Sequence, residues 1–169
     1  MFYVELFQAL EREGVRYLLV GGVAVNLHGA ERLTMDIDIM LALDAENLQR
    51  FLAAIKPLGL RPANALVTLE QFCDPAAVDS WIRDKHMLAF QLRPSAGNGP
   101  SLDILVKPVV PFDAAYARRV RMDADGVQVS VAATVDLVAL KSGTNRDIDR
   151  ADIRALQRLD MLRSRLKDD

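Results

Sequence analysis

Two aspartates, Asp36 and Asp38, interrupt a stretch that otherwise has the apolar pattern of a buried strand. Successive side chains of a strand point to opposite faces, so both carboxylates are expected on one face of the sheet. Neighbouring carboxylates repel each other and lose hydration when buried, so a fold rarely keeps such a pair without a cation. The alternate residues are expected to face the core: Leu33, Met35, Ile37, Ile39 and Leu41.

The residues before this pair predict a strand, a tight turn and a short helix. Residues 15–20 form a run that is apolar except for Arg16, Gly21-Gly22 follow, and residues 23–27 have a helical pattern. Such a turn lets backbone N–H groups approach a phosphate. A later aspartate, Asp103, lies in a second apolar run. If the two aspartate-bearing strands are neighbours, three carboxylates converge at one end of the sheet, an arrangement that suits Mg²⁺.

The rest of the chain mixes strand and helix patterns and predicts an α+β (α/β) fold with a mixed sheet flanked by helices. Asp44 is expected to cap one helix, Thr68 and Gln71 to form a capping box, and Thr134 to cap another. No linker divides the 169 residues. We expect one domain over residues 1–169, with residues 134–165 as a C-terminal helical extension.

Composition narrows the class of protein. The net charge of −2 gives no argument for nucleic-acid binding by the chain as a whole. The single cysteine, Cys73, excludes an internal disulfide and is expected to be inert. No apolar run approaches the roughly 20 residues that span a bilayer, and no leader pattern is found, so a cytoplasmic protein without a membrane partner is expected.

Together these motifs resemble the nucleotidyltransferase superfamily of the DNA polymerase β type, in an order that matches Val20-Gly21-Gly22, Asp36-Ile37-Asp38 and Asp103. More narrowly, the segments GGVAVNLHG and RLTMDIDIM are similar to small bacterial stand-alone nucleotidyltransferase-like proteins related to abortive-infection toxins. Lys141, Arg146, Asp149 and Asp152 are similar to the signature that closes the domain in that group. Residues 60–100 carry no matching motif.

The resemblance implies the nucleotidyltransferase fold and a two-metal reaction that moves a nucleoside monophosphate from a nucleoside triphosphate such as ATP, releasing pyrophosphate. Asp36 and Asp38 would bind both Mg²⁺ or Mn²⁺ ions, and Asp103 would bind the ion nearer the attacking hydroxyl and help to activate that hydroxyl. Gly21 and Gly22 would contact the triphosphate, and Lys141 is a further phosphate ligand. In this superfamily the acceptor hydroxyl belongs to an RNA, a protein side chain or an antibiotic.

Three alternative hypotheses stay open. In the first, the chain is the toxin of a toxin–antitoxin or phage-defence pair and has an antitoxin partner. In the second, it is a catalytically silent module that binds a nucleotide or a partner. In the third, which we rank last because only 35 residues precede it, Asp36-Ile37-Asp38 is the metal motif of a glycosyltransferase.

Several other side chains are interpreted as structural. His28, beside a helix-ending glycine, is expected to bond a backbone carbonyl or to pack under the sheet. Asp149 and Asp152 are expected to form a salt-bridged helix start. Trp81 and Phe90 are expected in the core rather than at a base-stacking surface.

Overall fold

A seven-stranded mixed sheet, described over residues 2–97 and 99–168 of a computed structural model, organises the chain. The strands are β1 (Tyr17–Val20), β2 (Ile37–Leu41), β3 (Leu60–Pro62), β4 (Ala89–Pro94), β5 (Leu102–Leu105), β6 (Val120–Ala124) and β7 (Val127–Val131). The helices are α1 (Phe2–Arg12), α2 (Gly21–Leu27), α3 (Ala45–Ile55), α4 (Leu69–Phe72), α5 (Pro75–Lys85), α6 (Phe112–Ala117), α7 (Thr134–Ser142) and α8 (Asp147–Asp168).

Strand β2 lies in the middle of the sheet, whose order is β3-β4-β5-β2-β1-β7-β6. It pairs parallel with β5 and antiparallel with β1. The sheet also contains a parallel pair β1–β7, while β3–β4, β4–β5 and β6–β7 are antiparallel. The predicted fold class, a mixed sheet flanked by helices, is therefore confirmed.

The core face of the sheet is built by residues that meet across the strands. Leu19, Ile39, Ile104 and Phe90 are successive register partners on β1, β2, β5 and β4, and all four are buried. Burial of side chains of this size contributes roughly 1.5–3 kcal/mol each. This row fixes the register of the central strands, since a slip by one residue would turn every apolar side chain to the opposite face.

The predicted extent of the aspartate strand is wrong at its N-terminal side. Strand β2 begins at Ile37, whose N–H donates to the carbonyl of Ser101. Leu33 and Met35 are 98% and 74% exposed, not in the core. The residues before Ile37 lie outside the ladder, so period-two alternation does not govern their exposure. Asp36 therefore precedes the strand, and only Asp38 lies within it.

Two of the three predicted helix caps are confirmed. The Asp44 side chain accepts a hydrogen bond from the backbone N–H of Asn47 at the start of α3, and Thr68 forms a capping box at the start of α4. The third cap is wrong by one residue, because Ala133 precedes α7 and Thr134 is its first helical residue. Strand β3 was not predicted, because three residues are too few for a periodic pattern.

An aromatic stack fills the core beneath β4. The rings of Phe72 and Phe90 are 4.1 Å apart between centroids, and Trp81 lies 6.0 Å from Phe90 at a near-parallel angle. The core assignment of Trp81 and Phe90 is confirmed by their burial. Cys73 is buried in the same core, and burial raises the pKa of its thiol to about 12. A thiol with so high a pKa is a poor nucleophile, in agreement with the expectation that Cys73 is inert.

None of the helices in the described part of the chain combines the length and apolar character needed to cross a bilayer.

Candidate active site

Asp38 and Asp103 are brought together by the central sheet. They are register partners on the parallel strands β2 and β5, so their side chains leave the same face of the sheet side by side. Gln91 on β4 is in turn the partner of Asp103. A polar row therefore crosses three strands on the face opposite the Ile39–Ile104–Phe90 row.

One pocket of about 340 Å³ collects every residue that the sequence predicted for the site. These residues are Gly21, Gly22, Asp36, Asp38, Asp103 and Lys141. Arg32, Thr144, Arg146 and Asp149 also line it, and sequence reasoning assigned none of them to substrate binding. We call this cavity the carboxylate pocket.

Position 21 accepts only glycine, for two reasons. Its φ is +67°, in the left-handed region, and a Cβ atom added there would lie 2.0 Å from Oδ2 of Asp38. A Cβ added to Gly22 would lie 2.8 Å from Oγ1 of Thr34. The two glycines form the first turn of α2 rather than a turn before a helix starting at Val23, which corrects the predicted boundary. Their lack of side chains lets α2 approach the carboxylates closely.

The two sheet carboxylates are only partly compensated. Burial and the adjacent Asp103 carboxylate together raise the pKa of Asp38 to about 6, although Lys141 and Arg32 lower it. Burial also raises the pKa of Asp103, and this effect exceeds the lowering by a hydrogen bond from Gln91 and by the charge of Arg93. The Oδ1 atom of Asp103 is buried and meets no hydrogen-bond partner among the described residues. A buried carboxylate oxygen without a partner costs free energy, which a bound cation would offset.

Asp36 precedes β2 and also lines the pocket. It is exposed, and its Oδ1 accepts hydrogen bonds from the backbone N–H of Ser101 at 3.2 Å and from the Ser101 hydroxyl at 2.7 Å. Over residues 2–97 and 99–168, no group of three or more His, Cys, Asp or Glu side chains is arranged so that it could hold a metal ion. The three aspartates line one pocket but do not form a closed ligand set.

A buried ion-pair network forms the opposite wall of the pocket. Nζ of Lys141 lies 2.8 Å from Oδ2 of Asp152 and 3.1 Å from Oδ1 of Asp149. Asp152 also pairs with Arg32, and Asp149 pairs with Arg146 at 2.6 Å. The predicted salt-bridged helix start is thus confirmed. Tertiary contact adds Arg32, which lies 120 residues from Asp152 in the sequence and which no local signal could have linked to it.

His28 takes the structural role expected for it. Its Nε2 lies 2.8 Å from the backbone carbonyl of Ala132 across the core, and burial lowers the pKa of the ring. The ring does not line the carboxylate pocket.

A larger cleft of about 830 Å³ adjoins the carboxylate pocket, and Asp36 lines both cavities. We call it the side cleft. Its walls come mainly from β3, β4 and the residues that follow β3.

A family described as "Nucleotidyltransferase of unknown function (DUF6036)" matches residues 4–164. A search of curated proteins found no match. Solved structures share the fold. The lincosamide antibiotic adenylyltransferase LnuA bound to lincomycin is similar at 19% identity and TM-score 0.60, with 94% of each chain covered.

Two further structures are similar to the chain. ANT(2″)-Ia in complex with adenylyl-2″-tobramycin has 13% identity and TM-score 0.60, covering 98% of this chain and 95% of its own. An antigenic nucleotidyltransferase-like protein from Paracoccidioides brasiliensis has 19% identity and TM-score 0.54, covering 89% of this chain and 71% of its own. At these identities the likeness shows the fold.

Proposed function

The chain belongs to the nucleotidyltransferase family of unknown function (DUF6036), and from this membership we propose that it transfers a nucleoside monophosphate from a nucleoside triphosphate to a hydroxyl. The observation that carries the proposal is the adjacent pair of Asp38 and Asp103, both with raised pKa values, with Gly21 in close contact with Asp38 in the same pocket. A fold without a charged ligand gains nothing from burying this pair.

The residues present fit a divalent cation. Oδ1 of Asp103 is buried without a partner among the described residues, and carboxylate oxygens are the ligands that Mg²⁺ and Mn²⁺ prefer. Asp38 and Asp103 would hold the cation together with phosphate oxygens of the substrate, since Mg²⁺ commonly takes one or two carboxylates. Asp36 is proposed as a third ligand that would turn from Ser101 toward the cation. Once bound, the cation would neutralise phosphate charge and stabilise the attacking and leaving oxygens.

The protein's own residues supply proton transfer and orientation. The acceptor oxygen forms a bond to the α-phosphorus, the bond from that phosphorus to the bridging oxygen breaks, and pyrophosphate leaves with the bond's electrons. Asp103 takes the proton from the acceptor hydroxyl, because its carboxylate has a free oxygen and burial raises its pKa.

The phosphates would lie between the start of α2 and the Lys141 wall. Gly21 and Gly22 are the first two residues of α2, and their backbone N–H groups are the proposed contacts to the triphosphate. Lys141, Arg32 and Arg146 supply positive charge on the facing wall of the carboxylate pocket. Their pairing with Asp149 and Asp152 fixes their positions before substrate binds, which reduces the entropy lost on binding.

The antibiotic-bound structures support ATP as the donor. One is named an adenylyltransferase, and the other holds an adenylylated antibiotic. We therefore assign adenylyl transfer to a hydroxyl on a separate molecule as the reaction to test first. The toxin and antitoxin assignment stays a prediction, as do the RNA and protein acceptors.

The proposal is tested with each α-³²P-labelled nucleoside triphosphate, Mg²⁺ or Mn²⁺, total RNA and cell extract. Label should be transferred by the native chain and lost in Asp38→Asn and Asp103→Asn. In parallel, Mn²⁺ should raise the melting temperature of the native chain and leave that of Asp38→Asn unchanged, because a ligand stabilises only the state that binds it. Nucleotide binding with and without Mg²⁺ is measured by calorimetry. If there is neither label transfer nor metal-dependent nucleotide binding, the chain is not a nucleotidyltransferase enzyme.

A further inference from the structure

The side cleft adjoins the proposed reaction centre. It shares Asp36, one of the three proposed carboxylates, with the carboxylate pocket, and Lys141 does not line it. Two other cavities share only Arg32 or only Thr34 with that pocket. An in-line displacement needs the acceptor and the leaving group on opposite sides of the phosphorus. With the phosphates against Lys141, the side cleft, beside the carboxylates, is the compartment that suits the acceptor.

Two arginines face each other in this cleft. Arg61 on β3 and Arg93 on β4 are register partners in an antiparallel pair, and both line the cleft. Side chains directly opposite have Cβ atoms about 4.5–5.5 Å apart, and like charges at that position destabilise a sheet. Neither guanidinium forms an ion pair with any residue in the described part of the chain. Both side chains are exposed, and the charge of Arg93 is felt by Asp103 on the neighbouring strand. An anion between the two guanidinium groups would offset their mutual repulsion.

The arginines are connected to the carboxylates along one sheet face. Nε of Arg93 donates to Oε1 of Gln91 at 3.0 Å, and Gln91 is the register partner of Asp103. From strand geometry, the backbone at Arg93 lies about 8 Å from that at Asp103, two residues along and one strand across. One small molecule can therefore contact the arginines with one end and place a hydroxyl near Asp103 with the other.

We infer that the acceptor is a hydroxyl compound carrying a phosphate or carboxylate, which Arg61 and Arg93 bind while its hydroxyl points to the carboxylate pocket. The inference rests on the proposed nucleotidyl transfer and names its acceptor class. Arginine is suited to this role because its planar guanidinium binds such anions through two parallel hydrogen bonds.

Binding without nucleotide tests the inference separately from the reaction. D-ribose 5-phosphate and uncharged D-ribose are titrated into the native chain and followed by backbone amide chemical shifts. The phosphorylated sugar should bind at least about tenfold more tightly, as expected for charge-assisted hydrogen bonds. Arg61→Gln should abolish that preference, and Arg158→Gln, on α8 and outside both cavities, should keep it. A tri-ribonucleotide with a free 3′ hydroxyl, in the same titration, distinguishes an RNA phosphate from a small phosphorylated alcohol.

Each result supports or overturns the inference. Arg61-dependent binding of either phosphorylated probe supports it and identifies the source of the anion. Equal binding of ribose and both phosphorylated probes, no binding of either phosphorylated probe, or binding that Arg61→Gln leaves unchanged overturns it. Label transfer to a neutral acceptor at the same rate in Arg61→Gln would overturn it while leaving the proposed transferase intact. If the native chain does not bind a nucleoside triphosphate in the presence of Mg²⁺ or Mn²⁺, the proposed function itself is contradicted.

Discussion

Gly21 is the residue whose backbone most directly determines the shape of the carboxylate pocket. Replacing it with alanine places a Cβ 2.0 Å from Oδ2 of Asp38 at a φ of +67°. The left-handed conformation alone costs about 1–2 kcal/mol for a residue with a side chain, and displacement of Asp38 adds to it. We predict that Gly21→Ala lowers the free energy of unfolding by about 2 kcal/mol or more and removes Mn²⁺ binding, measured by urea unfolding and calorimetry.

Gly143 provides the matched control for that substitution. It follows α7 with a φ of −83°, and a Cβ added there meets nothing within 4 Å. Gly143→Ala should change stability by less than about 0.5 kcal/mol. Equal effects of the two substitutions would show that close approach at Gly21 has no special role.

Asp38 is expected to reduce stability when no cation is present. Its folded pKa of about 6 lies above the value near 3.9 of an unfolded chain. The folded state therefore binds this proton more tightly, and stability is lost as the pH rises from about 4 through 6. We predict that Asp38→Asn raises the free energy of unfolding by about 1–3 kcal/mol at pH 7.5 in EDTA, with the difference vanishing near pH 3.5.

Urea unfolding across that pH range measures the effect, and Asp79→Asn in an exposed helical ion pair is the control. A less stable Asp38→Asn protein at pH 7.5 would show that the carboxylate already has a compensating partner.

At the scale of elements, helices α7 and α8 form a wall of the site rather than a separate appendage. Asp149 is fully buried near the start of α8, where burial raises its pKa but hydrogen bonds from Thr144, Arg146 and Lys141 outweigh that effect and hold the pKa at about 2. Asp152, one turn further on, pairs with Arg32 in the segment before β2. The C-terminal helix thus positions cations that line the pocket.

Removing the Asp149 charge should break this wall. We predict that Asp149→Asn lowers the free energy of unfolding by about 2–3 kcal/mol at neutral pH, because Lys141 loses one of its two buried carboxylate partners and keeps only Asp152. The folded pKa of Asp149 lies below the unfolded value, so its contribution is present above about pH 4 and is lost as the pH falls toward 2.

The control is Asp147→Asn, which removes a carboxylate that is 96% exposed from a helical pair with Arg150. Chemical unfolding of both variants measures the difference. Similar small losses would mean that the buried network does not hold α8 in place.

At the scale of the whole molecule, the sheet links two regions with different tasks. Strands β1, β2 and β5 carry the carboxylate pocket, while β3 and β4 carry the side cleft and cover the stack of Phe72, Phe90 and Trp81. Because β4 pairs with β5, the side cleft and the carboxylates are held in one register. Any opening of this half of the sheet should expose Cys73.

Cys73 can therefore report that opening. It is 1% exposed, and burial raises the pKa of its thiol to about 12, so only about 10⁻⁴ of the thiol is ionised at pH 8. We predict that iodoacetamide modifies it at least about a hundredfold more slowly in the native chain than in urea, measured by mass spectrometry. Rapid modification without denaturant would show that β3 and β4 open independently of the rest.

The sequence by itself determined the local features and the chemical character of the site. Asp44 and Thr68 were found as caps because a cap depends on residues only a few positions apart. Gly21 and Asp103 were recognised as members of one motif, since spacing and residue type carry that information without coordinates. The mixed sheet was predicted from strand and helix patterns that are mixed along the chain.

Only the tertiary structure decided which side chains meet. Strand register placed Asp103 beside Asp38 and left Asp36 outside the ladder, bonded to Ser101. The same long-range pairing set Arg61 opposite Arg93, although α4 and α5 lie between them in the sequence and no local pattern could join them. Backbone preference acts over a few residues, whereas register is fixed by burial and hydrogen bonding between distant segments, so the sequence named the carboxylates and the fold arranged them.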